Sequence, residues 1–244
     1  MGLKNLMESA YGGKTRHRRL DSEKGERVIS LEDLADRVGD HPKKEEVAEL
    51  LNDEIIPRMI SSIPQGKKES LIWGYITSIA AERSASYVVV RPMDFAGLEL
   101  SGGMLILMGD EKKRPSHVGE RMRSGMIRLG EAGDYLGQGM SGGGIVASSC
   151  GTYAFRDMRG GWGVILGDAG SFIGVNNSGG RILVKGNAGE RAGWLMRSGR
   201  LTVLGDAGDY LGILAKGGVI KIRGDAGRNV GWRAGGVRIE IIRG

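Results

Sequence analysis

Gly167-Asp168-Ala169-Gly170, Gly186-Asn187-Ala188-Gly189, Gly205-Asp206-Ala207-Gly208 and Gly224-Asp225-Ala226-Gly227 are one phrase written four times, its first glycines 19 residues apart at every step. A fixed period of this length marks a repeat architecture and outranks any local reading. The register runs through the whole unit. Seven residues after each opening glycine stand Gly174, Gly193, Gly212 and Gly231. Twelve and thirteen after it come Gly179-Gly180, Ser198-Gly199 and Gly217-Gly218, with Gly236-Val237 departing at the last place. Fifteen and seventeen after it are Ile182 and Val184, Leu201 and Val203, Ile220 and Ile222, Ile239 and Ile241.

Side chains two apart on an extended chain share a face, so these last pairs are the inward side of a short strand. Leu183, Thr202, Lys221 and Glu240 between them face solvent. One short strand and several glycine corners leave no room for a helix. The spacing therefore predicts an all-β, right-handed parallel β-helix of about seven coils with a 19-residue repeat, rising roughly 4.8 Å per coil. Corners that turn within one or two residues and stack on their copies favour glycine. Of 44 glycines, 36 lie between Gly102 and Gly244.

Asp168, Asn187, Asp206 and Asp225 read as acceptors for turn amides. A calcium ladder is not expected, because Asn187 interrupts the charge and the period is too long for the nonapeptide calcium repeat. The coils begin irregularly. Gly109-Asp110 opens a coil enlarged by Lys112 to Ser116, Gly130-Glu131-Ala132-Gly133 restores the register, and Ser149 to Leu166 forms a coil one residue short without the opening phrase. Lys112 to His117 and Cys150 to Arg159 are the stretches where loops would leave the stack and meet a ligand or partner. Eight residues after the opening glycines stand Val175, Trp194, Ile213 and Trp232, an apolar stack read as core, with an outward partner surface as the other possibility.

Residues 28–94 have a different texture. Ser30 and Asp33 form a capping-box pattern before Leu31, Leu34 and Val38, with Gly39 closing the helix. A second helix is expected from Pro42 through Val47, Leu50, Leu51, Ile55 and Met59, and a third over Ser70 to Arg83 despite Gly74. Tyr87 to Val90 reads as a buried strand. The chain thus divides into a basic, poorly ordered tail over 1–27, a mainly helical region over 28–94 that caps the stack, and a β-helix over 95–244. A ligand groove between helices and coils is the alternative to simple capping.

The net charge is +6, concentrated in Lys14, Arg16, His17, Arg18 and Arg19. Without interleaved aromatics or a reading motif, nucleic-acid binding is not expected. One cysteine, no apolar run of membrane-spanning length and no secretory stretch in Met1 to Ala10 point to a cytoplasmic protein without disulfides. Catalytic groupings are sparse. His17, His41 and His117 have no metal spacing, Cys150 has no partner histidine in sequence, and Ser141-Gly142-Gly143-Gly144 lacks the glycine a nucleophile elbow needs. Gly137-Gln138-Gly139-Met140-Ser141-Gly142 fits G-x-G-x-x-G formally, but a strand follows it where the dinucleotide fold requires a helix. No catalytic, cofactor-binding or metal-binding residue is assigned.

The run from Gly130 to Gly143, with Gly186-Asn187-Ala188-Gly189 to Met196-Arg197-Ser198-Gly199, resembles the GXGXG β-helix family. That domain is shared by the β-helical subunit of formylmethanofuran dehydrogenase and the C-terminal domain of the glutamate synthase large subunit. The similarity spans about residues 95–244. The early coil from Gly109-Asp110 through Val118-Gly119 to Met122 looks more like the first relative. The resemblance implies a non-catalytic scaffold subunit of a cytoplasmic oxidoreductase complex in one-carbon metabolism. On that footing molybdo- or tungstopterin, FMN, iron–sulfur or zinc chemistry sits on partner subunits and no cofactor on this chain. A stand-alone glutamate synthase subunit and a free-standing esterase using Ser141 or Cys150 are the alternatives. The strand at Ile239 to Ile241 leaves an open edge, so the last coil is expected to be covered by another subunit, by a second copy, or by the N-terminal helices folding back.

Overall fold

The computed structural model describes residues 30–110 and 112–242. The basic tail, His17 included, lies outside the described residues. Among the described residues four helices come first: α1 (Leu31–Arg37), α2 (Lys44–Leu50), α3 (Ile56–Ser61) and α4 (Lys67–Arg83). Nine strands follow, β1 (Tyr87–Val90), β2 (Ser101–Leu107), β3 (Ser124–Glu131), β4 (Gly144–Ser149), β5 (Trp162–Ile165), β6 (Ser178–Val184), β7 (Ser198–Val203), β8 (Val219–Ile222) and β9 (Arg238–Ile241). They form one all-parallel sheet in simple sequential order. The protein is a parallel β-solenoid.

The turn count is about eight, not seven, because the sheet starts earlier than the glycine phrase. β1 pairs with β2 through Val88 and Leu105, and both precede the first recognisable corner at Gly109. Nine strands at the usual spacing make a stack about 38 Å long. The inward ladder is continuous: Leu105, Ile127, Ile145, Gly163, Ile182, Leu201, Ile220 and Ile239 are direct neighbours. A second ladder, Leu107, Leu129, Ala147, Ile165, Val184, Val203 and Ile222, lies beside it and is buried throughout. Each coil buries its apolar pair only against the next coil, so the stack is stable collectively.

The corners have their own hydrogen-bond system. With the opening glycine as position 0, the residues at positions 5, 7 and 9 are left-handed: Phe172, Gly174 and Asn176 have φ of 64°, 68° and 55°. Their amides point alternately up and down the stack. Phe172 N donates to Glu190 O, Gly174 N to Ala154 O and Asn176 N to Trp194 O, each at 2.8 Å. Three ladder bonds per corner offset the roughly 1–2 kcal/mol that each left-handed residue with a side chain costs.

Gly167, Gly186, Gly205 and Gly224 are not among the left-handed residues. A Cβ on Gly186, Gly205 or Gly224 would strike the side-chain oxygen of Asp168, Asn187 or Asp206 in the preceding coil. Those oxygens accept the amides of Asn187, Asp206 and Asp225 at 2.7, 2.8 and 2.7 Å. The expected Asx-to-amide role is thus met, but between coils. Glycine is present there to make room.

The helices cap the β1 end. Ser30 and Asp33 form the reciprocal capping box at 3.0 and 3.1 Å. The single helix expected over 42–59 is two, because Pro57 stands at the second position of α3 and cannot continue an upstream helix. Asn52 Oδ1 accepts the Ile55 amide at 3.0 Å across the break. α4 is the central cap element, buried from Ile72 to Ala81 and packed on β1 and β2. It docks through polar contacts as well: Gly97 N donates to Thr77 Oγ1 at 2.9 Å and Ser78 Oγ to Leu98 O at 2.8 Å. Gly74 fits because a Cβ there would strike the Phe95 carbonyl. The described helices therefore do not fold back on the last coil; among the described residues β9 has a strand neighbour on one side only.

Candidate interaction surface

The residues singled out for chemistry are held by the ladders. Cys150 stands where other coils have Ala132, Ala169, Ala188 and Ala207, and it bridges to Ala169. Burial pushes its thiol up to about 12. The stretch from Cys150 to Arg159 does not leave the stack. Phe155 N, Asp157 N and Arg159 N donate to Leu136 O, Val175 O and Met140 O in the neighbouring coils. Phe155 points inward and is fully buried, where other coils have glycine.

His117 also belongs to a ladder. Its ring stacks between Phe95 and Tyr135, 4.8 Å from each, and Tyr153 and Phe172 extend the column. Arg191 continues it, its guanidinium 5.3 Å from both Phe172 and Tyr210. The His117 Nδ1 is 2.8 Å from Glu120 Oε2. Ser141 lies six positions further round the coil, its hydroxyl without a partner among the described residues. The excursion expected over Lys112 to His117 is shorter: Lys113, Arg114 and Pro115 line a cleft with Ile63, Pro64 and Ser70, while Pro115, Ser116 and His117 are already bonded to neighbouring coils. The apolar stack at position 8 is mixed. Val175 and Ile213 are buried, whereas Trp232 is 47% exposed on the last coil.

Two surfaces go beyond what the sequence reading expects. The first is the outward face of the sheet. Trp162 lies over Gly144, whose missing side chain makes room for the indole. Met126, Val146, Val164 and Leu183 flank it and are half-buried. The second is a polar trough of about 490 Å³ that crosses five coils beside position 9. Position 9 carries Glu99, Arg121, Gly139, Asp157, Asn176, Leu195, Leu214 and Arg233, all left-handed. Gly139 is the only glycine among them. A Cβ there would meet only Arg121 Cγ, at 3.6 Å, so the missing side chain leaves the trough open at its second coil.

Charges around the trough are unevenly compensated. Arg121 pairs with Glu99 at 3.2 Å, and Arg123 with the same carboxylate at 3.4 Å. Asp157 is held by Arg156 at 3.1 Å and by Asn176 Nδ2 at 2.6 Å. Arg159 and Arg197 have no acidic partner among the described residues. Asn176 Oδ1 is buried without a donor. At the cap end, Tyr75 Oη lies 3.4 Å from Arg121 Nη2, and burial followed by the Glu99 carboxylate raises its phenol. A sequence signal for this surface existed: Ser101, Arg123, Ser141, Arg159, Ser178 and Arg197 share position 11, alternating serine with arginine, and Lys216 adds a further cation.

Among the described residues no group of three or more His, Cys, Asp or Glu side chains is arranged to hold a metal, and no helix is long and apolar enough to cross a membrane. No protein-family model matches the chain, and no curated protein or solved structure is significantly similar to it.

Proposed function

We propose that this chain is a non-catalytic scaffold subunit of a multi-subunit oxidoreductase, akin to the β-helical subunit of formylmethanofuran dehydrogenase that its GXGXG-like phrases resemble. The observation that carries the reading is the outward face of the sheet. Parallel sheets are ordinarily covered on both faces, and here the inner face is the solenoid core while the outer face presents Trp162, Met126, Val146, Val164 and Leu183 to solvent. An apolar patch of this kind on a rigid stack is a docking surface for another subunit. The thiol and histidine are consistent with a structural role, since Cys150 is buried in an alanine ladder and His117 is stacked between two rings.

The test is recovery of the native protein from its source cells under gentle conditions, with identification of co-eluting chains by mass and with metal and absorption analysis of the same fraction. Co-elution with pterin-, iron–sulfur- or zinc-bearing polypeptides is expected. Flavin-bearing partners would move the assignment to the glutamate synthase relative. Elution alone, or ester hydrolysis abolished by Ser141→Ala, would overturn the scaffold reading.

A further inference from the structure

The trough has a length, a charge and a period, and together these specify an occupant. It crosses five coils, so at the usual strand spacing it is about 19 Å long. Along its lip Arg159 and Arg197 are two coils apart, which places their guanidinium stems about 9.6 Å from one another; Arg123, two coils before Arg159 in the same column, continues that spacing just beyond the trough and is held by Glu99. The amides that fix this spacing are regular: Arg123, Ser141, Arg159, Ser178, Arg197 and Lys216 each donate to the position-10 residue of the coil before, at 2.7 or 2.8 Å. The intervening serines are short enough not to obstruct an approach from outside.

We propose that the trough binds an extended acidic polypeptide segment of a partner subunit, with carboxylates at every third residue. In a polyproline II helix every third side chain returns to the same face after about 9.3 Å, matching the arginine repeat. In a β-strand, residues three apart point to opposite faces. Such a helix has no internal hydrogen bonds, so its carbonyls and amides remain free to meet Gln138 and Ser178. Gly139 lets that backbone come close. The identity of the occupant as a partner segment rests on the scaffold reading; the carboxylate spacing rests on the trough alone.

Fluorescence anisotropy with a labelled peptide of four Glu-Pro-Ala triplets is the direct test, alongside a peptide of the same composition with its glutamates contiguous. The triplet peptide should bind at least about fivefold tighter. Arg159→Ser with Arg197→Ser introduces the residue that already alternates in this column, and should weaken binding about tenfold. Gly139→Leu should weaken it similarly with the fold retained by circular dichroism, because Leu195 and Leu214 occupy the same left-handed position, with φ of 55° and 56°. Arg181→Ser with Arg200→Ser, on the sheet face, should leave binding unchanged. Equal affinity for both peptides, or equal loss in the sheet-face control, would overturn the proposal. No binding of the triplet peptide by wild-type protein that still recovers partners in source-cell pull-downs would also refute the trough while leaving the scaffold reading standing. If even the wild-type protein recovers no partner, the scaffold reading falls and the peptide titration decides the trough.

Discussion

At the scale of single residues, one coil shows how the repeat tolerates an exception. Phe155 takes a position that is glycine in the neighbouring coils, and Gly163 takes an inward strand position that is Ile145 before it and Ile182 after it. The two changes are one substitution in space: a Cβ on Gly163 would strike the Phe155 ring. Volume is conserved while its source moves from strand to corner. Phe155→Gly should therefore cost about 3–5 kcal/mol by opening a cavity, and Gly163→Ile should cost at least about 1–3 kcal/mol by overpacking. The double variant restores the arrangement of the regular coils and should recover more than half of the summed loss. Urea denaturation of all four proteins checks this, and additive losses would show that the sites are not coupled.

Cys150 is the second exception, a thiol in a column of alanines. Its folded value near 12 lies above its ordinary 9.0, because burial disfavours the thiolate. The sign follows from linkage: the group's contribution is fully present below about pH 9 and is lost as pH rises from there toward 12, since the unfolded chain releases the proton first. The slope approaches about 1.4 kcal/mol per pH unit. Cys150→Ala should remove that alkaline loss and change stability at pH 7 by less than about 1 kcal/mol. The native thiol should resist a disulfide reagent at pH 8 until denaturant is added; rapid labelling of the folded protein would contradict its place in the ladder.

At the scale of elements, legibility in the sequence tracks periodicity. The last strands can be placed to the residue because Ile182, Leu201, Ile220 and Ile239 recur in fixed register. The first two strands cannot be counted as coils, since β1 and β2 are joined without the opening phrase and lie partly under α4. The helices are legible from their caps: the Ser30–Asp33 box stands as expected, while Pro57 splits what apolar spacing alone joins. The corners differ from expectation in their mechanism. Glycine content suggests left-handed turns at the opening phrase, whereas the left-handed positions include Phe172, Arg191 and Tyr210, stabilised by inter-coil amides, by the stacking of Phe172 on Tyr153 and by the Arg191 guanidinium over the Phe172 and Tyr210 rings. Nothing in local propensity announces a left-handed tyrosine. The trough is hidden for a related reason, as its arginines are scattered along the chain and align only when the coils are superposed.

At the scale of the whole molecule, the solenoid separates its surfaces by azimuth. The aromatic column and the Asx ladder are self-satisfied, the sheet face carries an apolar patch around Trp162 between flanking arginines, and the trough has two cations, Arg159 and Arg197, without acidic partners among the described residues. The patch, the trough and the last coil leave interactions incomplete. If the sheet face is where a partner subunit docks, two charges placed on it should abolish docking without disturbing the stack. Val164 and Leu183 are adjacent outward residues of β5 and β6, and their inward neighbours Ile165, Ile182 and Val184 carry the core. Val164→Asp with Leu183→Asp should therefore leave the melting temperature within a few degrees of wild type, because each substitution removes only half-buried outward surface. It should also lower the tendency of the isolated protein to self-associate in size-exclusion chromatography, and eliminate co-elution with the partners of the wild-type protein. Retained co-elution would move the docking surface away from the sheet, to the trough or to the exposed Trp232 and Ile241 of the last coil. A collapse of the melting temperature would instead show that the outer face contributes to the solenoid itself, since the partner is absent from that measurement.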